Sequence, residues 1–213
     1  QQQSGDLANK VADAVAEAVR LSEETNELAP QVMAYIAHSL SNQNTNQLTA
    51  LRILEGAPNI IHTTEQHRTA GQLLSHCLQR QDASVSIISG VVKAIVSLLL
   101  TVSDADKKAY GECLRMAVTA PVCKKLADSI TDDDEPISDY LSAIIDGVVE
   151  SPKVFKDTAV EYYSFGLHVA NQQSEDVDVG VRTLGIELSL CLVEQLTNQF
   201  KKRPDLIQSG LNV

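Results

Sequence analysis

The sequence predicts an all-α fold, an α-α superhelix of the HEAT/armadillo solenoid type with about four to five helix pairs. Three observations predict it. The chain is 44% hydrophobic but only 4% aromatic, with no Trp and few Gly or Pro, which suits helices packed through Leu, Ile, Val and Ala better than sheets. Apolar residues recur at spacings of three and four between short polar breaks, and no segment alternates as a strand would. Comparable helix starts near Asp6, Thr45, Asp82, Asp134 and Asp176 return about every 40 residues, the period of a two-helix repeat.

Taken in order, "DLANKVADAVAEAVRL" is the first helix, and "SEETNEL" breaks it. "APQVMAYIAHSL" follows, with Pro30 in a first helical turn, where a missing backbone N–H costs nothing. "SNQNTNQ" separates it from "LTALRILEGAPNII", and "HTTEQ" separates that from "HRTAGQLLSHCLQR". "SVSIISGVVKAIVSLLL" comes next, then "SDADKK" and one long helix over 105–130, bent at Pro121. "TDDDEP" supplies N-terminal acids and Pro136 to "ISDYLSAIIDGVVE". "SPKVFKDTAVEYYSFGLHVA" and "EDVDVGVRTLGIELSLCLVEQ" close the series, and Pro204 begins something new. In repeat terms, 6–22 is a lone second helix, the pairs cover 29–61, 65–101, 104–151 and 152–197, and 198–213 opens another repeat, all in one solenoid over 1–213. The start without Met and the end at "SGLNV" read as an excerpt of a longer protein.

The last long helix is apolar almost all round. Leu184, Leu188 and Leu192 face one way and Ile186, Leu190 and Val193 another, so both sets need neighbours, as stacked repeats provide. Asp176 lies six residues before Arg182, with Val181 just ahead of the Arg, a spacing that HEAT units use for an Asp–Arg ladder between repeats. Asn46 and Leu51-Arg52 repeat it with Asn for Asp, whereas Ile88 and Tyr140 stand where the Arg would fall in the other two units. Arg52 and Arg182 are therefore expected to bond within the stack.

Lys and Arg number 17 against 28 Asp and Glu, a formal charge of -11. That balance disfavours nucleic acid and anionic membranes, which need cations against their phosphates, and suits basic protein partners. Cys77, Cys113, Cys123 and Cys191 are scattered, without the paired spacing of a zinc site or disulfide framework. His62, His67 and His76 share no ligand face and read as solvated or capping side chains, so no metal and no cofactor is expected. No catalytic motif is present, and the chain reads as a non-enzyme.

One polar line remains on each second helix. In the last, Asp176, Gly180, Thr183, Glu187, Cys191 and Glu194 fall within an arc of about 80°. Glu135, Asp139, Ser142, Asp146 and Glu150 form a second line, and Asp13 with Glu17 a third. The middle unit departs from this, with Ser86, Ser89, Lys93 and Ser97 giving a small, nearly neutral line. In a solenoid such lines face the concave side, so Asp13, Glu17, Asp139, Asp146, Glu150, Glu187 and Glu194 are the candidate partner-binding residues, for a basic peptide or protein face. The plain alternative is that any solvated stripe must be polar.

The segments "LANKVADAVAEAVR", "APQVMAYIAHSLSNQNTNQLTALRILEGAPNII" and "ISDYLSAIIDGVVESPKVFKDTAVEYYSFGLHVA" resemble, in order, helix length and breaks, the N-terminal third of the importin-β (karyopherin-β) nuclear transport receptors. The branch carrying ribosomal proteins and histones is the nearest in pattern, and it too has an extended acidic link where "SITDDDEP" stands. The resemblance implies a carrier that shuttles between cytoplasm and nucleus. It would take basic cargo bearing nuclear localisation signals on its concave helices, Ran-GTP on N-terminal second helices, and nucleoporin Phe-Gly repeats on its outer face. The alternative is a HEAT-repeat scaffold or regulatory subunit that organises another complex.

Overall fold

The computed structural model describes residues 2–21, 29–42, 46–130, 135–201, 203, 205–206 and 208, and every regular element among them is a helix. The expected helix start at Thr45 and the acids at 131–134 lie outside the described residues. Two compact units are present, Gln1–Cys113 and Leu114–Val213.

The first unit holds α1 (Gln2–Leu21), α2 (Ala29–Ser41), α3 (Gln47–Gly56), α4 (Thr64–Gln79) and α5 (Val85–Thr101), with a 3-10 turn at Pro58–Ile60. Here α3 packs against both α1 and α5, and α2 packs against α4, while α2–α3 and α4–α5 join the two rows. This is the arrangement expected of stacked helix pairs, because each pair has two apolar faces to bury. Val91, Val92, Ile95 and Leu98 of α5 and Leu54 of α3 are fully buried. Helix α4 starts ahead of the expected His67, because Thr63 builds a capping box. Its hydroxyl accepts from Gln66 N at 3.2 Å, and Gln66 Oε1 accepts from Thr63 N at 3.0 Å. The T-x-x-Q signal was present in a stretch that reads as a break.

The neutral line expected on α5 is not an open stripe. Ser89 is 3% exposed and its hydroxyl has no hydrogen-bond partner among the described residues. Lys93 is tied to Glu55 of α3 at 3.3 Å. With α3 and α4 both packed on α5, the arc left to water is narrower than the polarity of the sequence suggests.

The expected long helix over 105–130 is two helices, α6 (Lys108–Ala117) and α7 (Ala120–Asp128). Pro121 sits in the first turn of α7 and starts a helix instead of bending one. A helix that stops leaves four carbonyls unpaired, and the second unit accounts for all four of α6. Leu114 O accepts from the Tyr162 hydroxyl at 2.7 Å and Ala117 O from the Tyr140 hydroxyl at 2.8 Å. Arg115 O and Met116 O accept from the backbone of Val118 and Thr119.

The second unit continues with α8 (Glu135–Glu150), a 3-10 turn at Pro152–Phe155, α9 (Ala159–Ala170), α10 (Val179–Gln195) and α11 (Thr197–Phe200). Helix α10 packs on both α8 and α9. It begins at Val179, capped by Asp178, which accepts from Gly180 N at 2.6 Å. Asp176 thus lies in the preceding turn, hydrogen-bonded to Ser174, and does not belong to the polar line of α10. At the crossing with α9 the backbones nearly touch: a Cβ on Gly166 would come within 2.8 Å of Gly185 O, and one on Gly185 within 2.7 Å of Gly166 O. Leu188 and Leu192 are buried as expected, but on the second apolar face of α10 Ile186 and Leu190 are 44% and 64% exposed and only Val193 is partly covered among the described residues.

Candidate functional site

The candidate acids fall into two groups. On α1, Asp13 and Glu17 are exposed one turn apart. Arg52 of α3 reaches Asp13, Nε to Oδ1 at 2.8 Å, and this hydrogen bond holds the Asp13 carboxyl below its usual range. Arg52 therefore bonds inside the stack, to an acid of the neighbouring second helix. Arg182 donates to Gln172 O at 3.4 Å, so the Asp176–Arg182 spacing makes no ladder rung with Asp176 here. Asp13 is already engaged, which leaves it less available to an outside cation than its sequence position suggests.

In the second unit, Asp139 is half-buried on α8, with Asp146 and Glu150 exposed further along, and Glu187 and Glu194 are exposed on α10. The packing of α8 on α10 brings Asp146, Glu187 and Glu194 around one side chain, the half-buried thiol of Cys191. Burial raises the pKa of that thiol first, and Glu194, Asp146 and Glu187 raise it further. Three carboxylates from two helices thus act on one thiol, which stays largely protonated and reacts slowly. Asp146, Glu150, Glu187 and Glu194 form no ion pair with a described cation. This gathering follows the 3.6-residue period on both helices once they lie side by side.

Of the histidines, His62 and His76 are exposed, whereas His67 is only 5% exposed. Its Nδ1 lies 2.8 Å from the hydroxyl of fully buried Tyr110. The expectation of a solvated or capping His67 is therefore corrected: the extra turn of α4 carries it inward. Placing the ring proton on Nε2 lets the Tyr110 hydroxyl donate to Nδ1 and leaves no buried O–H unpaired. Burial lowers the His67 pKa, with Asp106 opposing and His62 adding to the effect. Among the described residues no group of three His, Cys, Asp or Glu could hold a metal, and no helix is long and apolar enough to cross a membrane.

Tyr140 and Tyr162 were missed as architectural residues. Tyr140 stands at the position that lacks the ladder Arg, and a polar tip on a fully buried ring was the available signal.

The model of a family described as "IPO5-like, TPR repeats" matches residues 3–163. No curated protein matches the chain. Among solved structures, the crystal structure of Kap121p bound to Nup53p holds a chain similar in fold, with a TM-score of 0.66 and 21% identity over 84% of this chain. The present chain spans 17% of that one.

Proposed function

Because the chain belongs to the IPO5-like family of importin-β (karyopherin-β) repeat proteins and has a transport-receptor fold, we propose that it is a section of a nuclear import receptor that holds basic cargo through its second-helix acids. The observation that carries this reading is the cluster of Asp146, Glu187 and Glu194 on adjacent helices, exposed and without a described cation. Separate carboxylates on one face attract a Lys/Arg-rich localisation signal through several weak contacts and a shared field. Asp139 and Glu150 extend the α8 line, and Asp13 and Glu17 provide a second, partly neutralised station. No catalysis and no cofactor enter this function.

Two further partners belong to the proposal. Ran-GTP would bind second helices and release cargo, and nucleoporins would meet the outer helices during shuttling between cytoplasm and nucleus. The fold relative Kap121p is bound to Nup53p in its crystal structure, which supports a partner of that kind.

The test is titration of a Lys/Arg-rich peptide into the chain while salt is raised. Binding is expected to weaken steeply with salt. The triple variant D146N/E187Q/E194Q is expected to lose about tenfold or more in affinity, given a few tenths to one kcal/mol per exposed charge pair. Salt-insensitive binding, or full affinity in the triple variant, overturns the reading. A pull-down with Ran loaded with GTP or GDP separates a transport receptor from a scaffold, which would show no nucleotide preference.

A further inference from the structure

Arg52, Arg68, Arg80, Lys93, Lys107 and Arg203 each pair with a carboxylate. Lys153, Lys156 and Lys201 make no such pair among the described residues, yet all three line one cavity of the second unit, about 760 Å³ in volume. The cavity lies where the 3-10 turn after α8 meets the end of α10 and the start of α11. Its remaining lining is Gln195, Leu196, Thr197, Asn198 and Gln199, which supplies amide donors and no carboxylate. A lysine past a helix end is ordinarily explained by the helix dipole, an effect confined to the last turn. That accounts for one charge per helix, but not for charges from two separate chain reversals converging on one space.

We propose that this cavity is a docking site for an acidic peptide segment, one with several Asp or Glu in succession. Three ammonium groups lining one cavity make it locally positive, and an incoming run of carboxylates neutralises that charge while the amides of Gln195, Asn198 and Gln199 donate to its oxygens. The volume exceeds what a single small anion fills, which favours a segment over an isolated ion. The site is chemically opposite to the acidic line around Cys191, so one unit offers stations for both signs of charge. A partner with a basic stretch and an acidic stretch would engage both and gain from the linkage.

The experiment is NMR titration of the isotope-labelled 213-residue chain with a short Glu-rich peptide, a Gln-rich peptide of the same length, and inorganic phosphate. The expected result is amide shifts confined to Lys153, Lys156 and Gln195–Lys201 with the Glu-rich peptide alone. The double variant K156E/K201E, with its fold checked by the unperturbed remainder of the spectrum, should weaken binding about tenfold or more. K124E, which reverses an exposed lysine of α7 outside the cavity, should leave it unchanged. Shifts elsewhere, or retained affinity in K156E/K201E, overturn the proposal. Displacement of the peptide by phosphate at the same amides also overturns it, because the site would then take a single anion. The probes carry the opposite charge to those that test the cargo line, so either proposal can fail without the other.

Discussion

Tyr140 and Tyr162 show what a single hydroxyl does in a helical stack. Each ring is fully buried and contributes apolar area, and each oxygen reaches a carbonyl that α6 leaves open where it ends. Removing either hydroxyl strands a buried acceptor as well as losing a bond, so Y140F and Y162F are each expected to lower stability by about 1–3 kcal/mol. Urea unfolding measures this, and a neutral result would mean that water replaces the hydroxyl. His67 gives a pH signature of its own. Its folded pKa lies below the unfolded value of about 6.5, so the unfolded chain binds the extra proton as pH falls. Stability is therefore flat above that value and declines below it. H67Q should flatten the slope between about pH 6.5 and 5, where carboxylates with ordinary pKa values do not yet titrate appreciably. A slope unchanged in H67Q would remove His67 as its source. Neither the Tyr pegs nor the buried His could be read from spacing alone, because a polar tip on an apolar face looks the same whether it meets water or a partner across the core.

At the scale of the element, the helices were largely legible and their ends were not. Among the described residues, periodicity placed apolar segments over the helices longer than four residues, because each buries an apolar face. It missed the turn gained by α4, where Thr63 and Gln66 form a cap inside a polar stretch. It also merged α6 with α7, because the apolar spacing runs on through 118–121 and only Pro121 marks the restart. The crossing of α9 and α10 illustrates a third limit: Gly166 and Gly185 look like weak points in two helices until the backbones are seen to meet there. A methyl at either position enters a gap of under 3 Å to a carbonyl oxygen. G185A is expected to destabilise the second unit by about 1–3 kcal/mol through forced separation of the helices, despite the better helix propensity of Ala. Thermal denaturation decides this, and a stabilised G185A would show that the crossing yields easily.

For the whole molecule, composition carried the class and the family pattern carried the identity. A low aromatic content, an apolar majority and a repeat near 40 residues implied stacked helix pairs, and both the fold relative and the family model agree. The candidate acids were legible as lines on single helices. Which of them share a neighbourhood was not, since that depends on the pairing of α8 with α10 and on the claim of Arg52 upon Asp13. The lysine cavity was invisible for the same reason, as its parts lie on two chain reversals separated by a helix pair.

The net charge of -11 and the carboxylates near Cys191 together make that sulfur a gauge of local potential. In a C123S background, where the remaining half-exposed thiol is removed, an anionic disulfide reagent should label Cys191 several-fold more slowly than a cationic one of similar size. Docking of a positively charged ligand over Asp146, Glu187 and Glu194 should narrow or invert that ratio. Equal labelling rates for the two reagents would contradict this. A chain with no Trp would thus report, through the colour of a released thiolate, the sign of whatever has settled beside its acids.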